Sequence, residues 1–517
     1  MPTRALCDDA GVLYHGRQGR KVAAGAVRLG LALAALLAAC TLAAPAGADI
    51  PVLGAQVGAA SRGRAMTSGF VGFSFEYRAL HVYTGRDPSD LNPVLVALLR
   101  DLAPAGGQVL RIGGDSTDQT WWPMHGVIPP GGVSYSLTKG WLRTTRTLAQ
   151  TLRAKLILGV NLAARRPALS AAEGQALLAG IGSSNIAALE IGNEPDLYPV
   201  FAWFKDRRDR VSRSRSRHYA FAGFLSEFAR LRATLPRGLA LAGPTFSGLN
   251  WMRNLPRFLA AQHGVRIVTF HRYPLRACVH DPSDPSFASI ENLLADSSSA
   301  GLAAEVVPFV QAAHARGLPF RLDELNSASC RGRAGVSDTF AASLWLLDTL
   351  FNEAAVGVDG VNIHTLPGAP YEPFTFSHDA GGWHALVHPS FYGALMFTRA
   401  FPPGARLLPV AAPAGPVKVW ATRGADGHTR VVVINQQPDT PVVVKLQLPG
   451  AQAPLTAQEL TAPGLGATGG VTLDGQSFGT RTDSGVPQGR PSGAVVAPTA
   501  GTYPVQVAPG SAVLLTR

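Results

Sequence analysis

This chain carries little charge. Lys, Arg, Asp and Glu make up 15% of its 517 residues, against 46% hydrophobic residues. That balance excludes a disordered, solvating polymer. Cysteine is scarce as well, four in all, which excludes a disulfide-scaffold fold. No CxxC pair, HExxH or P-loop is present, so the common signatures of zinc sites and nucleotide binding are missing. No repeat of solenoid period appears. Beyond the N-terminal region no apolar run is long enough to cross a bilayer.

What is present begins with a targeting pattern. Arg17, Arg20, Lys21 and Arg28 precede the apolar run Leu29–Ala39, the order of a signal sequence. Leu37-Ala38-Ala39-Cys40 has the form of a lipobox, and Ala46-Gly47-Ala48 that of an ordinary cleavage site. Export is expected by either route, with residues 1–48 as the targeting segment. The product is then secreted, periplasmic, or held at a membrane through a lipidated Cys40. Cys7 and Cys40 fall in this segment, leaving Cys278 and Cys330 in the body. These two pair in an oxidising compartment or remain buried thiols. The formal net charge of +12 favours polyanions without choosing among them.

The body alternates apolar strand-like runs with helical stretches. The strands expected are Phe70–Glu76, Gln108–Gly113, Lys155–Asn161, Ile186–Asn193, Leu239–Gly243, Arg266–His271, Pro319–Glu324 and Gly360–His364. Helices are expected over Pro93–Leu102, Leu142–Ala154, Tyr219–Leu235, Ala303–Arg316 and Asp338–Ala355. Near-continuous apolar strands are buried on both faces, as in a parallel sheet. Eight β-α units predict an α/β fold, a (β/α)8 TIM barrel over 66–400. From about Phe401 the texture changes to short β-type runs: Val417–Arg423, Thr429–Gln436, Pro441–Leu448, Leu455–Leu460 and Ala512–Thr516. These predict an antiparallel β-sandwich over 401–517. A strand within 49–65 joins it, and the Gly-rich run from Gly464 to Gly501 supplies its loops.

A TIM barrel displays its reactive groups at the C-terminal ends of its strands. The polar residues there are Glu76, Arg111, Asp115, Asn161, Asn193, Glu194, His271, Tyr273, Glu324, Asn326 and His364. Glu194, in LEIGNEPD, and Glu324, in FRLDELN, end strands four and seven and so face each other across the mouth. Two facing carboxyl groups are what glycosidic cleavage requires, one to protonate the leaving oxygen and one to attack. Asn193 is placed to donate to a sugar 2-hydroxyl. Tyr273 is placed to donate to the attacking carboxylate, and Arg111 to charge-balance it. Asp323 is expected on the opposite face of its strand. Glu76, Asp115, Asn326, His271 and His364 are further substrate-binding candidates. Trp121, Trp122, Trp141, Trp203 and Trp383 are candidate stacking platforms for sugar rings. Lys205–Arg217 is either an anionic-saccharide clamp or a solvated loop. No metal or organic cofactor is expected. The expected partner is an oligosaccharide, polysaccharide or glycoconjugate, and not nucleic acid.

The segments GFSFEYRAL, VLRIGGDSTDQTWW, LEIGNEPDLY, RLDELNSASCRGRAGVSDTFAASLWLLDTLF and DGVNIHT resemble glycoside hydrolase family 79, the β-glucuronidase and heparanase-like group of clan A. The resemblance implies a barrel with a β-sandwich and a retaining double displacement on β-glycosides such as β-glucuronides. Glu194 would be the acid/base and Glu324 the nucleophile. A neutral-sugar clan A glycosidase, and a carbohydrate-binding protein without activity, are the alternatives. Family β-glucuronidases carry a tyrosine and a run of glycines after the nucleophile to hold the uronate carboxylate. Here that stretch reads Ser327-Ala328-Ser329-Cys330-Arg331-Gly332-Arg333, which leaves Arg331 or Arg333 for the task. A Cys278–Cys330 bond would tie the loops after strands six and seven together at the pocket rim.

Overall fold

The computed structural model describes residues 50–450 and 453–517, which form one compact unit. The targeting segment and Cys40 lie outside the described residues. Eight strands form a closed, parallel barrel: β1 (Val71–Glu76), β2 (Val109–Gly113), β3 (Lys155–Val160), β4 (Ile186–Ile191), β5 (Leu241–Phe246), β6 (Val265–Arg272), β7 (Phe320–Leu325) and β8 (Gly360–Thr365). They run in sequence order around the ring, and β4 closes on β5. All six residues are buried in each of β1, β5, β7 and β8. Helices outside the ring cover one face of these strands and side chains inside it fill the other, which explains the unbroken apolar runs.

Local signals start several helices. The Asn92 side chain accepts from the Val94 and Leu95 amides at 3.0 and 3.1 Å, with Pro93 at the first helical position of Pro93–Leu102. Thr138 caps Lys139–Leu152 in the same way. Both satisfy donors that a helix leaves open. The helices Pro167–Ile181 and Pro389–Ala400 were not given bounds from sequence. Pro389–Ala400 is buried on nearly every side between the barrel and the sandwich, so it lacks the polar face that marks a surface helix. No helix among the described residues is long and apolar enough to cross a membrane.

The sandwich pairs a sheet of six strands in line, from Arg406–Leu408 to Thr472–Leu473, with a four-stranded sheet that contains Val52–Val57. One pair departs from the expected antiparallel order. Val52–Val57 runs parallel to Val442–Gln447; the whole barrel separates the two in sequence, so no hairpin fixes their direction. Tyr503–Val507 was also not expected. Pro504 argues against an interior strand, and the strand is in fact at the sheet edge, where a residue without an N–H is tolerated. The barrel and sandwich are joined by the stacked rings of Phe351 and Trp420, 5.3 Å apart. The indole N–H of Trp420 donates to Asp348 at 2.8 Å.

The Gly-rich run does more than connect strands. The Phe340 and Ala341 amides, at the start of helix Phe340–Ala355, donate to Ala467 and Leu465 at 2.8 Å each. Thr482 pairs with Ala385 in the hairpin after β8.

Candidate active site

At the C-terminal mouth of the barrel lies a cleft of about 690 Å³, lined by Glu194, Glu324, Glu76, Asp115, Asn193 and Tyr273, with His364, Tyr371, Trp203, Arg276 and Arg331 around them. A smaller cavity of about 310 Å³ lies at the opposite end, among Met66, Phe70, Leu102, Phe397 and Phe401. Its walls are mostly apolar and offer no pair of facing acids.

Glu324 sits at the end of β7 and is held from three sides. Arg111 Nη1 donates to its Oε2 at 2.7 Å, and the Tyr273 hydroxyl donates to its Oε1 at 2.8 Å. His364 Nδ1 stands 3.6 Å from Oε2. Burial works to raise this carboxyl. His364, His271, Arg111 and the Tyr273 hydroxyl more than offset it and hold Glu324 well below the usual carboxylate range.

Glu194 follows β4 in a left-handed conformation, φ 47°, with its amide donating to the Thr245 carbonyl at 3.1 Å. Its Oε1 lies 2.9 Å from His271 Nδ1. Burial first, and then the Glu324, Asp115 and Asp196 carboxylates, raise its pKa well above the usual value, against the pull of Arg111. An oxygen of Glu194 and one of Glu324 lie within 4.8 Å of each other. This fits the close spacing of a retaining pair, about 5–5.5 Å, better than the roughly 6.5–9.5 Å of an inverting one.

Arg111 and His271 do not line the cleft; both are fully buried behind the carboxylates. They belong to β2 and β6 themselves and not to the loops beyond, so their side chains stay inside the ring. Arg111 donates to Glu190 at 2.7 Å, to Ser74 at 3.1 Å and to Asn193 Oδ1 at 2.8 Å. Burial and the Glu324 charge push the His271 pKa in opposite directions, and burial prevails, lowering it to about 4. The ring is therefore neutral at pH 7, and its Nε2 lies 2.9 Å from the Thr245 hydroxyl.

Asp323 corrects the expectation that it faces away. It is fully buried inside the barrel, 3.3 Å from Arg111 and 3.5 Å from His271. The register of β7 shifts against both neighbours between Leu322 and Leu325, and such a bulge breaks the alternation so that consecutive residues turn inward. Burial and the Glu190 carboxylate raise the Asp323 pKa well above its usual value. For Glu190, burial acts upward, but Arg111, a hydrogen bond with Asp323 and His271 together outweigh it and the pKa is lowered. One guanidinium thus faces ionised Glu190 and Glu324 and a protonated Asp323.

Two triads have the spacing of a cation site, Glu190–His271–Asp323 and Glu194–His271–Glu324. Arg111 already supplies positive charge to Glu190, Asp323 and Glu324.

Asn193 is oriented by its neighbours. Its Oδ1 accepts from Arg111, so Nδ2 is turned toward Asp115 at 3.3 Å and the cleft. Asp115 is open to the cleft. Its pKa is pushed up to about 7 by desolvation in the pocket, and next by Glu76, Glu324 and Asp118. Water in the open cleft relieves part of that desolvation, so the neighbouring carboxylates are the firmer cause. Glu76 borders the cleft but is mostly committed to structure. It accepts from the Asp115 and Ser116 amides at 3.0 and 2.8 Å and from the Ser116 hydroxyl. The turn it holds needs Gly114, at φ 69°, since any Cβ there would collide with the Glu76 carboxylate.

Asn326 does not line the cleft. Its Nδ2 donates to the His364 and Tyr371 carbonyls at 2.8 and 3.3 Å, tying β7 to the loop after β8. Asn161 is also buried, donating to the Thr120 carbonyl at 2.9 Å. Of the five tryptophans only Trp203 lines the cleft. Trp141 is a core residue stacked on Tyr77 at 5.2 Å. Trp121 is buried, Trp122 is half-buried, and Trp383 lies in the hairpin after β8.

The basic segment folds as a hairpin, Phe204–Lys205 with Val211–Ser212. Lys205 pairs with Asp209, Arg210 with Asp206 and Arg215 with Glu227. None of its cations lines the cleft, which sets aside the clamp reading. Cys278 and Cys330 form a disulfide.

Four site residues were not identified from sequence. Glu190 had a signal, an acid inside the apolar run IAALEI that demands a buried partner. Asp118 accepts from the Leu162, Ala163 and Asn193 amides and from the Tyr198 hydroxyl at 2.9, 2.9, 3.1 and 2.6 Å, pinning three loops. Tyr371 and Arg276 had no signal, since their loops place them.

Residues 419–514 match the glycosyl hydrolase family 79 C-terminal beta domain. A β-glucuronidase of Neurospora crassa is 24% identical over 364 residues, covering 59% of this chain and 63% of that protein. The match thus spans less than two thirds of that relative. A 4-O-α-L-rhamnosyl-β-D-glucuronidase from Fusarium oxysporum has a similar fold, with TM-score 0.65 and 20% identity over 89% of this chain and all of that one. A family 51 arabinofuranosidase from Xanthomonas axonopodis pv. citri has TM-score 0.64 and 14% identity over 90% of this chain and all of that one. At these identities the structural likeness speaks for the fold.

Proposed function

We propose that the chain is a glycoside hydrolase of family 79, a retaining β-glycosidase acting on β-glucuronides. The observation that carries the reading is the pair Glu194 and Glu324, close together in one cleft, with the first held protonated and the second held ionised. Two carboxyl groups pushed apart in this way divide into an acid and a nucleophile. In the first step Glu324 attacks the anomeric carbon while Glu194 gives its proton to the departing oxygen. A glycosyl ester on Glu324 results. In the second step Glu194 takes a proton from water, which attacks the same carbon and releases Glu324. Asn193 Nδ2 serves the sugar 2-hydroxyl, and Tyr273 and Arg111 keep Glu324 ionised and aimed.

The glucuronide preference draws support from the Neurospora relative's name. Export, with lipidation of Cys40 or cleavage after Ala48, is proposed from the order of charges, apolar run and small residues alone.

Aryl β-glucuronide, β-glucoside, β-xyloside and α-arabinofuranoside should be offered to the purified mature protein, with Glu324→Gln as blank. Faster turnover of the glucuronide is expected. Turnover of a neutral glycoside alone would move the protein to the other clan A reading. The pH profile of kcat/KM follows from the two shifts. Activity falls toward acid as Glu324 takes a proton, below the usual carboxylate range. It falls toward base as Glu194 loses one, above that range. A broad bell, widened on both sides of the usual carboxylate range, is expected, its limbs belonging to the coupled pair. A basic limb near the ordinary glutamate pKa would contradict the assignment of Glu194.

A further inference from the structure

The floor of the cleft is crowded with acids. Glu76, Asp115, Asp118, Glu194 and Glu324 all line it, while Arg111, the buried cation behind them, is already engaged by Glu190 and Glu324. A substrate that brings a carboxylate of its own needs a cation elsewhere on the wall. Resting on the glucuronide reading above, we propose that Arg331, with Arg276 beside it, binds the carboxylate of the uronic acid.

The two loops that carry these arginines are joined. Leu275 and Arg276, after β6, pair in parallel with Ala328 and Ser329, after β7. The Ala277 amide donates to the Ser329 carbonyl at 3.1 Å, and Cys278 is bonded to Cys330 immediately beyond. Cys330, Arg331 and Gly332 then take three successive left-handed conformations, φ 59°, 72° and 78°, turning the chain sharply at the rim. Both Arg276 and Arg331 are exposed and line the cleft. Neither has an ion pair or a side-chain hydrogen bond among the described residues. Arg333, the other arginine of the segment, lies over the Phe287 ring at 4.4 Å and does not line the cleft.

Sugar geometry selects the same wall. C2 and C5 of a pyranose flank the bond from C1 to the ring oxygen on opposite sides. A ring with C1 at Glu324 and its 2-hydroxyl at Asn193 therefore directs its C5 substituent away from β4. β8 stands four strands from β4, diametrically across the barrel, and Arg331 and Tyr371 line the cleft from the loops after β7 and β8. The Tyr371 hydroxyl is raised first by burial and then by Glu324, Glu76 and Asp115, and Arg331 acts against that rise. Arg331 is thus close enough to be felt at a phenol that also faces the reacting acids. A guanidinium offers a carboxylate two parallel N–H donors.

The test compares the parent, Arg331→Ala, Arg331→Lys, Arg276→Ala and the double alanine variant on aryl β-glucuronide and aryl β-glucoside. Inhibition by free glucuronate and by glucose is read alongside. In Arg331→Ala the ratio of kcat/KM for glucuronide over glucoside should fall about 10- to 100-fold, mostly through KM, as expected for losing a hydrogen-bonded charge partner. Glucuronate inhibition should weaken with it. Arg331→Lys should recover part of the ratio, as a point charge without the fork. An unchanged ratio in all three alanine variants, in an enzyme that prefers glucuronide, would overturn this inference and leave the substrate reading intact. A parent enzyme with no preference for glucuronide would overturn both.

Discussion

Glu324→Gln is expected to reduce kcat by about 10⁴- to 10⁶-fold, the scale seen when a covalent nucleophile is removed. The amide keeps the shape of the side chain but cannot form the glycosyl ester. It also leaves Arg111, fully buried, with one fewer anion opposite it. KM should move far less, since Asn193 Nδ2 and the outer walls of the cleft remain in place. Mass spectrometry after incubation with an activated 2-fluoro glycoside provides the check. The parent should carry a sugar on the peptide containing Glu324, and the variant should carry none. Residual activity above about 1% of the parent, well beyond that scale, would assign the attack to another group. Asp323 is the neighbour to suspect first. Its carboxyl is fully buried inside the barrel and held protonated, so it can neither reach the cleft nor attack.

Glu194→Gln should behave differently, because its loss depends on what departs. With a poorly stabilised leaving group such as a phenol or a sugar, the missing proton should lower kcat/KM by about 10²- to 10⁴-fold. With dinitrophenol, which leaves without protonation, the first step should be nearly unaffected. The second step then becomes slow, since no base remains to activate water. Added azide, which needs no base, should restore turnover and give the β-glycosyl azide. The basic limb of the pH profile should vanish in this variant. An equal loss for every leaving group, with no response to azide, would remove Glu194 from the acid/base role. His271 bears on the same result. It touches Glu194 at 2.9 Å and is neutral at pH 7 with a pKa lowered to about 4, so it orients the acid without supplying a proton in its place.

The barrel was legible because each strand is an apolar run ended by polar residues, and burial on both faces requires that pattern. Glu194 and Glu324 were legible for the same reason, standing where strands four and seven reach the mouth. What strand periodicity does not encode is depth and bulges. Arg111 and His271 end apolar runs as Asp115 and Tyr273 do, yet they stop short of the rim and serve the carboxylates from behind. Asp323 was placed by simple alternation, which the bulge in β7 cancels. Asn326 looks like a substrate ligand in sequence, but two carbonyls, one from β8 and one from the loop after it, claim its amide. Pro504 concealed an edge strand, because the neighbour that would need its missing N–H does not exist. The Cys278–Cys330 bond was one of two open readings. Only the adjacency of the two loops decides it, and the same adjacency brings Arg276 to the wall beside Arg331.

The stereochemistry of the first product tests the paired-carboxyl account most directly. Proton NMR during the opening minutes of hydrolysis of an aryl β-glucuronide distinguishes the anomers before they interconvert. Two successive inversions at one carbon predict that the β-anomer of glucuronic acid appears first and the α-anomer grows in only by mutarotation. Initial release of the α-anomer would mean a single inversion by water, and would contradict a covalent step at Glu324.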